Sequence, residues 1–354
     1  KLTPAEDRSL ARVPIPEVRA YDCYLRARHE VWVGTPEALE RACRYLEIAG
    51  ELAGESALVH AATAYVHFQK ANFGYGQDES IEAAERHART ALELDPRCAQ
   101  AQVVLGASAQ AFHGDLARSI RLLERARRVD PADLDAVNWL LNACLLAGRS
   151  AEALALADLL VGHDPLSATS HMMRALALSR RGRLADALEP ARRARELAPD
   201  SPQTFAVLVL ALAMAARSPV LGETADAAMA ELDALACEAS LPDSTPTRFG
   251  WLFHAAAKGD AARLDELVDA ELERSSRRDP DFSVWLADVN AAVGRSELAL
   301  EWLENAVTRG YGDSAFLSEH DPFLGELRGG EPFETIVARA RASAEAIRNG
   351  TVPA

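Results

Sequence analysis

The 354-residue chain lacks any apolar run long enough to cross a membrane, and no signal peptide is visible at its start. Its longest apolar stretch, 205–216, has 12 residues, whereas a membrane-spanning helix needs about 20. That length predicts a buried helix in a folded domain. Because the chain begins with Lys1 and not with Met, we expect an excised piece or a processed product. We also expect a cytoplasmic location.

Basic residues are scarce relative to acidic ones. The sequence has 38 Lys and Arg residues against 53 Asp and Glu residues, which gives a net charge of −15 with His neutral. Such a chain repels a polyanion or an anionic lipid surface. We therefore expect neither nucleic acid nor a membrane as its partner. With 49% hydrophobic and 26% charged residues, the composition is that of a globular protein, which excludes a disordered chain.

Cysteines are few, and no two of them are close in sequence. An odd number at scattered positions excludes a disulfide framework and predicts reduced thiols within helices. The five cysteines are Cys23, Cys43, Cys98, Cys144 and Cys237.

Recognisable catalytic and metal-binding motifs are missing. His29-Glu30 begins like the helix motif of zinc proteases, but Val33 stands where the second histidine is required. His60 and His67 have no acidic or cysteine partner at a ligand spacing. No nucleophile elbow, phosphate loop or dinucleotide motif is present. These absences predict a protein that is not an enzyme and that holds no cofactor and no metal.

What the sequence does contain is a repeat. Proline recurs beside aspartate at intervals of 35, 34 and 34 residues, at Pro96, Pro131, Pro165 and Pro199. Small or apolar side chains precede three of these prolines at fixed offsets of 12, 8 and 5 residues, which places them on one helix face. Gly114, Gly148 and Gly182 lie near the middle of the repeats. A glycine there allows a tight turn between two helices, and the proline ends the pair.

Three successive stretches, 99–131, 134–165 and 168–199, resemble the tetratricopeptide repeat. The first of them carries Leu105-Gly106, Leu123, Ala126 and Pro131 in the order of the family pattern. The resemblance implies an all-α, right-handed α-solenoid of about eight helix pairs. The predicted units are 16–54, 55–96, 97–131, 132–165, 166–199, 200–242, 243–280 and 281–309, with a linker at 1–15 and a C-terminal cap and tail at 310–354. The sequence leaves undecided whether the array bends at Ser218–Gly222.

Two segments resemble a narrower group of proteins. The sequence from Tyr21 to Arg28, followed by Thr35-Pro36-Glu37, is similar to the first repeat of bacterial multidomain signalling proteins, and Asp321-Pro322-Phe323-Leu324 is similar to their last. In that group the repeats follow an effector domain, such as a kinase, a cyclase, a winged-helix DNA-binding domain or a TIR domain. The resemblance therefore implies a regulatory or docking region.

The family resemblance also implies where a partner binds. Outward positions of the first helix in each pair line a concave groove. Carried onto this sequence, the groove positions are Tyr65, Phe68, Gln100, Gln110, Asp135, Asn138, Asn142, Thr169 and Met172.

The roles of these side chains have alternatives. Asn138 and Asn142 are four residues apart and share a helix face, where amides can pair with a peptide backbone. They either contact a peptide or face solvent in an empty groove. A carboxylate clamp, which some family members form from Asn and a cation, is disfavoured because Met172 stands where a cation is required. Tyr65 and Phe68 are either groove anchors or core residues.

The leading hypothesis is a noncatalytic scaffold that binds a peptide or a partner domain in its groove. If it holds, alanine at Asn138 and Asn142 weakens partner binding without changing the melting temperature. The alternative is a self-association module, in which the apolar stretch 205–216 forms a dimer surface. An enzyme would require a deep polar pocket with perturbed titrating groups.

Overall fold

The computed structural model describes residues 15–238 and 241–349, and this part of the chain forms only helices and connecting turns. The predicted linker at 1–15 lies almost entirely outside it. The α-helices are α1 (Val18–Val33), α2 (Pro36–Ala53), α3 (Ala57–Asn72), α4 (Gln77–Leu94), α5 (Ala99–Ala111), α6 (Leu116–Val129), α7 (Leu134–Leu146), α8 (Ser150–His163), α9 (Ala168–Arg180), α10 (Leu184–Leu197), α11 (Pro202–Ala216), α12 (Glu223–Glu238), α13 (Thr245–Lys258), α14 (Ala261–Leu267), α15 (Ala270–Ser276), α16 (Pro280–Ala292), α17 (Ser296–Thr308) and α18 (Glu331–Asn349). A π-helical turn spans Phe316–His320.

Consecutive helices pair as the repeat predicts, with short turns between partners. Their small faces are buried; in α10, for example, Ala187, Ala191 and Ala194 have no exposed surface. The mid-repeat glycines adopt the left-handed conformation, with φ of 67° at Gly114 and 68° at Gly148. An all-α helical-repeat fold is therefore confirmed.

The segment after Gly259 differs from its prediction. The sequence indicates one helix over 260–274, but α14 ends at Leu267 and α15 begins at Ala270. The side chain of Asp269 caps α15 by accepting hydrogen bonds from the amides of Glu271 and Leu272. Because aspartate competes for backbone donors at a helix start, it ends the preceding helix here.

The chain divides into two compact units. The first consists of Lys1–Ser108 and Glu124–Ala136, and the second of Ala109–Leu123 and Val137–Ala354. This division does not fall at Ser218–Gly222, the position at which the sequence leaves a bend undecided. Each unit has its own core, and the features described below are assigned to one unit at a time.

Helix α11 is the centre of the second unit's core. All its side chains from Thr204 to Ala215 are buried, so the helix has no free apolar face. The ring of Phe205 lies 5.0 Å from that of Trp251. The apolar stretch that the self-association hypothesis placed at a dimer surface is therefore core, because the unit's own helices surround it.

The segment after α17 lies across three helix-connecting turns that belong to the second unit. We call residues 309–321 the C-terminal strap. It passes the turns between α5 and α6, between α7 and α8, and between α9 and α10, where glycine leaves room for it. The amide of Gly312 donates to the carbonyl of Leu146 at 2.7 Å. Helix α18 follows and buries Phe333 and Ile336, as its amphipathic pattern predicts.

Two glycines inside helices offer a test of this packing. A Cβ at Gly250 in α13 would lie 2.5 Å from the ring of Phe205, whereas one at Gly162 in α8 meets nothing within 4 Å. We expect Gly250→Ala to lower the free energy of unfolding by about 2 kcal/mol, because the fully buried ring has no space to move. Gly162→Ala should raise it by about 0.5–1 kcal/mol through helix propensity. Urea unfolding monitored by circular dichroism measures both; equal effects contradict the close contact.

Candidate functional site

In the first unit, the predicted groove aromatics are buried. Phe68 has no exposed surface, so it is a core residue and not an anchor for a partner. Tyr65 is 9% exposed, and its hydroxyl accepts a hydrogen bond from Gln69 at 3.1 Å. The packing alternative holds for Phe68, whose ring stacks against that of Tyr65 at 6.2 Å between ring centres.

Asp135 of the first unit is held by residues of its own unit. Its carboxylate accepts a hydrogen bond from the hydroxyl of Tyr65 and lies 3.8 Å from the guanidinium of Arg28. Burial and the nearby charge of Asp133 raise the pKa of Asp135 to about 6, against the opposing effect of Arg28 and Tyr65. Gln100, in the same unit, is half-buried, and its side-chain oxygen has no hydrogen-bond partner.

The first unit also contains a histidine cluster that sequence reasoning did not assemble. Nδ1 of His60 lies 3.0 Å from Nδ1 of His87, and the rings of His67 and His87 are nearly parallel. Burial, with the charges of His60, His67 and Arg86, lowers the pKa of His87 to about 4. His87 lies on α4 and is 20 or more residues from the other two, so only the pairing of α3 with α4 brings them together. No group of three or more potential ligands placed to hold a metal ion occurs in the described residues.

In the second unit, two predicted groove amides bind to each other. The side chain of Gln110 donates to Asn142 at 2.9 Å and accepts from Ser119 at 3.0 Å. Asn142 in turn donates to Asp281 of α16 at 3.4 Å. Gln110 is 1% exposed, so neither amide is free for a peptide. The prediction that alanine at Asn142 leaves the melting temperature unchanged is therefore not supported, because its side chain lies in a bonded network.

Arg180, which sequence reasoning missed, is the cation of this network. Its guanidinium donates to Asp281 at 2.6 Å and to the hydroxyl of Tyr311, and it lies 4.4 Å from the ring centre of Phe316. The side chain is 7% exposed. The signal was present: the family resemblance also implies a groove position at Leu176 of α9, and Arg180 follows it by four residues, one helical turn further along the same face.

Four more carboxyls, of which Asp288, Asp313 and Asp321 are buried and Asp279 is half-buried, surround Arg180 or adjoin its partners. Burial raises the pKa of Asp313 to about 6 and, with the charge of Asp281, that of Asp279 to about 7. Burial also raises the pKa of Asp288 and Asp321, and a protonated Asp288 donates a hydrogen bond to Asp321. One oxygen each of Asp288, Asp313 and Asp321 has no partner. Uncompensated burial of this kind disfavours the charged form.

The remaining predicted positions of the second unit are partly accessible. Asn138, Thr169 and Met172 are half-buried on the first helices α7 and α9. Met172 follows Asn138 by 34 residues, so the two are equivalent positions of adjacent repeats. The side-chain oxygen of Asn138 is shielded and has no hydrogen-bond partner.

A shallow depression in the first unit does not resemble a catalytic cleft. It is wide open and lined by Leu25, Arg26, His29, Glu30 and Tyr45. Arg41 binds Glu30 through two hydrogen bonds and holds the pKa of that carboxyl below its usual range. A carboxylate held ionised in this way is a poor general acid. No helix in the described part of the chain meets the length and apolarity needed to cross a membrane.

Solved structures with similar folds define the class of protein. A monomeric mutant of IFIT1 with m7Gppp-AAAA superposes with a TM-score of 0.52 at 15% identity, over 88% of this chain and 68% of that one. Pseudomonas aeruginosa PilF aligns at 17% identity with a TM-score of 0.42, over 62% of this chain and 93% of its own. YrrB, described as a TPR protein with an unusual peptide-binding site, aligns at 16% identity with a TM-score of 0.37, over 62% and 96%. The chain has the fold of the tetratricopeptide-repeat proteins.

A family model gives the more particular similarity. The bacterial transcriptional activator domain matches residues 79–201, which is about a third of the chain. The match covers the best-defined repeats of the sequence. No curated protein matches the chain.

The two asparagines should respond differently to alanine. Asn142→Ala removes a hydrogen bond to buried Gln110, so we expect the free energy of unfolding to fall by about 1–2 kcal/mol. Asn138→Ala removes an amide with an unpartnered oxygen and should change stability by less than about 0.5 kcal/mol. Chemical denaturation of the two variants beside the wild type decides this, and equal losses contradict the network.

The buried carboxyl of Asp313 predicts a pH dependence. Its folded pKa of about 6 lies above the ordinary value of 3.8, so the folded state binds the proton more tightly than the unfolded chain. Stability from this group is therefore present at low pH and is lost as the pH rises from about 4 through 6. Asp313→Asn, which stays neutral and can still accept from the amide of Phe316, should be more stable than the wild type at pH 8, by up to about 3 kcal/mol. At pH 5 the two proteins should differ much less; melting temperatures that differ equally at both pH values contradict the assignment.

Proposed function

We propose that the chain is a noncatalytic protein-interaction scaffold in a bacterial regulatory protein. The observation that carries the proposal is the surface around Asn138, Thr169 and Met172 in the second unit. It combines the partly accessible side chain of Met172 with the amide of Asn138, whose shielded oxygen lacks a donor. Burial of the Met172 side chain by a bound peptide would add apolar contact, and a rotation of the Asn138 side chain would bring its oxygen to a backbone N–H of the peptide.

Two further observations support a regulatory role. Residues 79–201 match the bacterial transcriptional activator domain. The segments that resemble multidomain signalling proteins lie at the two ends of the repeats. We infer a docking or sensing region that acts with an effector domain, in the cytoplasm, and with a protein or peptide as its partner.

The contacts within each unit reduce the number of predicted groove residues that are accessible to a partner. Gln110 and Asn142 bind each other, Phe68 is core, and Asp135 is bonded within the first unit. The proposed surface therefore keeps Asn138, Thr169 and Met172, while Gln100 offers a separate unpartnered amide in the first unit. Self-association through α11 loses its support, because that helix has no exposed apolar face. A nucleic-acid partner stays disfavoured by the net charge of −15, although the fold by itself does not exclude one.

The test is affinity capture with the full chain as bait. Asn138→Ala combined with Met172→Glu should reduce recovery of a specific protein at least about tenfold, because the variant removes the amide and places a charge in the apolar contact. Leu159→Glu, on the second helix α8, is a matched control with the same charge change at an exposed apolar position. The captured protein is then purified and its affinity for each variant is measured by calorimetry.

The result that contradicts the proposal is also defined. If every captured protein is recovered equally by the double variant and by the control, the surface is not a binding site. Circular dichroism melting of all three proteins shows that the variants are folded, so that a loss of capture reports on the surface alone.

A further inference from the structure

We propose that the C-terminal strap is a displaceable occupant of a second binding surface. This surface consists of Arg180 and the three turns at Gly114, Gly148 and Gly182. The strap leaves it as a unit of its own while the repeats stay folded. A partner segment that carries an aromatic and an acidic side chain then takes the place of the strap. Only the last statement rests on the proposed scaffold function.

The first observation is that the strap is seated by close backbone approach at successive repeats. A Cβ at Gly114 would lie 2.9 Å from the carbonyl oxygen of Arg309, and one at Gly148 would lie 2.9 Å from that of Gly312. At Gly182, the added Cβ would lie 2.8 Å from the ring of His320. The three turns thus each lie in close contact with the strap, through its backbone at Gly114 and Gly148 and through the His320 side chain at Gly182.

The second observation is that other turn glycines of the same unit have no such neighbour. Gly259 and Gly294 also have positive φ, of 70° and 77°, but nothing lies within 4 Å of a Cβ built on either. Positive φ alone explains glycine at every one of these turns. The lack of space at Gly114, Gly148 and Gly182 is specific to the strap.

The third observation is the chemistry that Arg180 receives from the strap. The guanidinium binds the hydroxyl of Tyr311 and packs against the ring of Phe316. Burial lowers the pKa of Arg180, but Tyr311 and the carboxylates of Asp281, Asp313 and Asp288 together raise it. The surface around Arg180 therefore favours aromatic rings and carboxylates. The strap supplies the rings of Tyr311 and Phe316 and the carboxylate of Asp313.

The fourth observation is that the seated strap contains uncompensated polar groups. Asp313 is buried, yet one of its carboxyl oxygens has no partner, and Asp321 is buried against a second carboxyl, Asp288. Unpaired buried carboxyls weaken docking, whereas α11 is apolar on all sides and gains from burial throughout. Segments with such mixed contacts open at lower free energy than the core.

The opening is tested by native-state hydrogen exchange on the full chain. In the wild type, we expect the amides of Gly312, Leu317 and Asp321 to exchange at least about tenfold faster than the amides of α11, and Gly148→Ala should accelerate these strap amides at least about tenfold further. Gly259→Ala is the matched control, since it places alanine at nearly the same φ without touching the strap. Strap amides that exchange only as fast as those of α11 in the wild type overturn the proposal, and so does an equal acceleration of the strap in the control.

Chemical modification of Arg180 gives a second readout. In the wild type, the guanidinium is covered, so phenylglyoxal should modify it slowly. In Gly148→Ala, its modification should be at least about tenfold faster, as read by mass spectrometry, while that of exposed Arg128 is unchanged. An Arg180 that stays protected in this variant shows that strap opening does not uncover the surface.

The occupant is tested with a synthetic peptide of residues 309–321. The full-chain variant Tyr311→Ala weakens the strap and leaves its seat intact, so the peptide should bind this variant at least about tenfold more tightly than the wild type, in which the strap competes. The same peptide with alanine in place of Tyr311 should not bind. Absent or equal binding overturns the displacement, whereas failure of the capture experiment above would leave this result standing and remove only the scaffold proposal.

Discussion

The second unit depends on one buried guanidinium. Arg180 connects the end of α9 to Asp281 at the start of α16 and to Tyr311 in the strap. A buried charge is costly unless all its donors are satisfied, so these elements have to meet around it. This single side chain contacts Asp281 and Tyr311, which are 101 and 131 residues further along the sequence. Removing the guanidinium would leave the carboxylates of Asp281 and Asp313 without their cation.

The contacts around Arg180 and Asp281 determine which groove positions of the second unit stay accessible. In an open array, the outward positions of every first helix face solvent and can bind a partner. Here Gln110 and Asn142 bind each other, and Asp281 completes their hydrogen bonding. The chain's own side chains thereby occupy positions at which the family resemblance implies a partner. In the proposed function, a partner binds at the positions that these contacts leave accessible, or it competes with the chain's own segments.

The buried histidine and the buried carboxyls give the free energy of unfolding opposite dependences on pH. In the first unit, the lowered pKa of His87 makes stability fall as the pH drops from about 6.5 towards 4, because the unfolded chain binds the proton more tightly. Asp135 of the same unit and Asp313 of the second have raised pKa values of about 6, so their contributions fall as the pH rises. Each effect arises from burial, which disfavours the charged form of either kind of group.

The local repeat was readable from the sequence because helix pairing depends on short-range spacing. Small residues four and three apart, a glycine at each turn and a proline at each end determine the helices near the positions where the structure has them. The break at Asp269 was missed, since a side-chain cap competes with a helix pattern that continues through it. The proposed binding surface was only partly predictable, because Asn138 and Asn142 share one helix face but have different neighbours. Asn142 donates a hydrogen bond to Asp281, which is 139 residues further along the chain, and only the tertiary structure brings the two together.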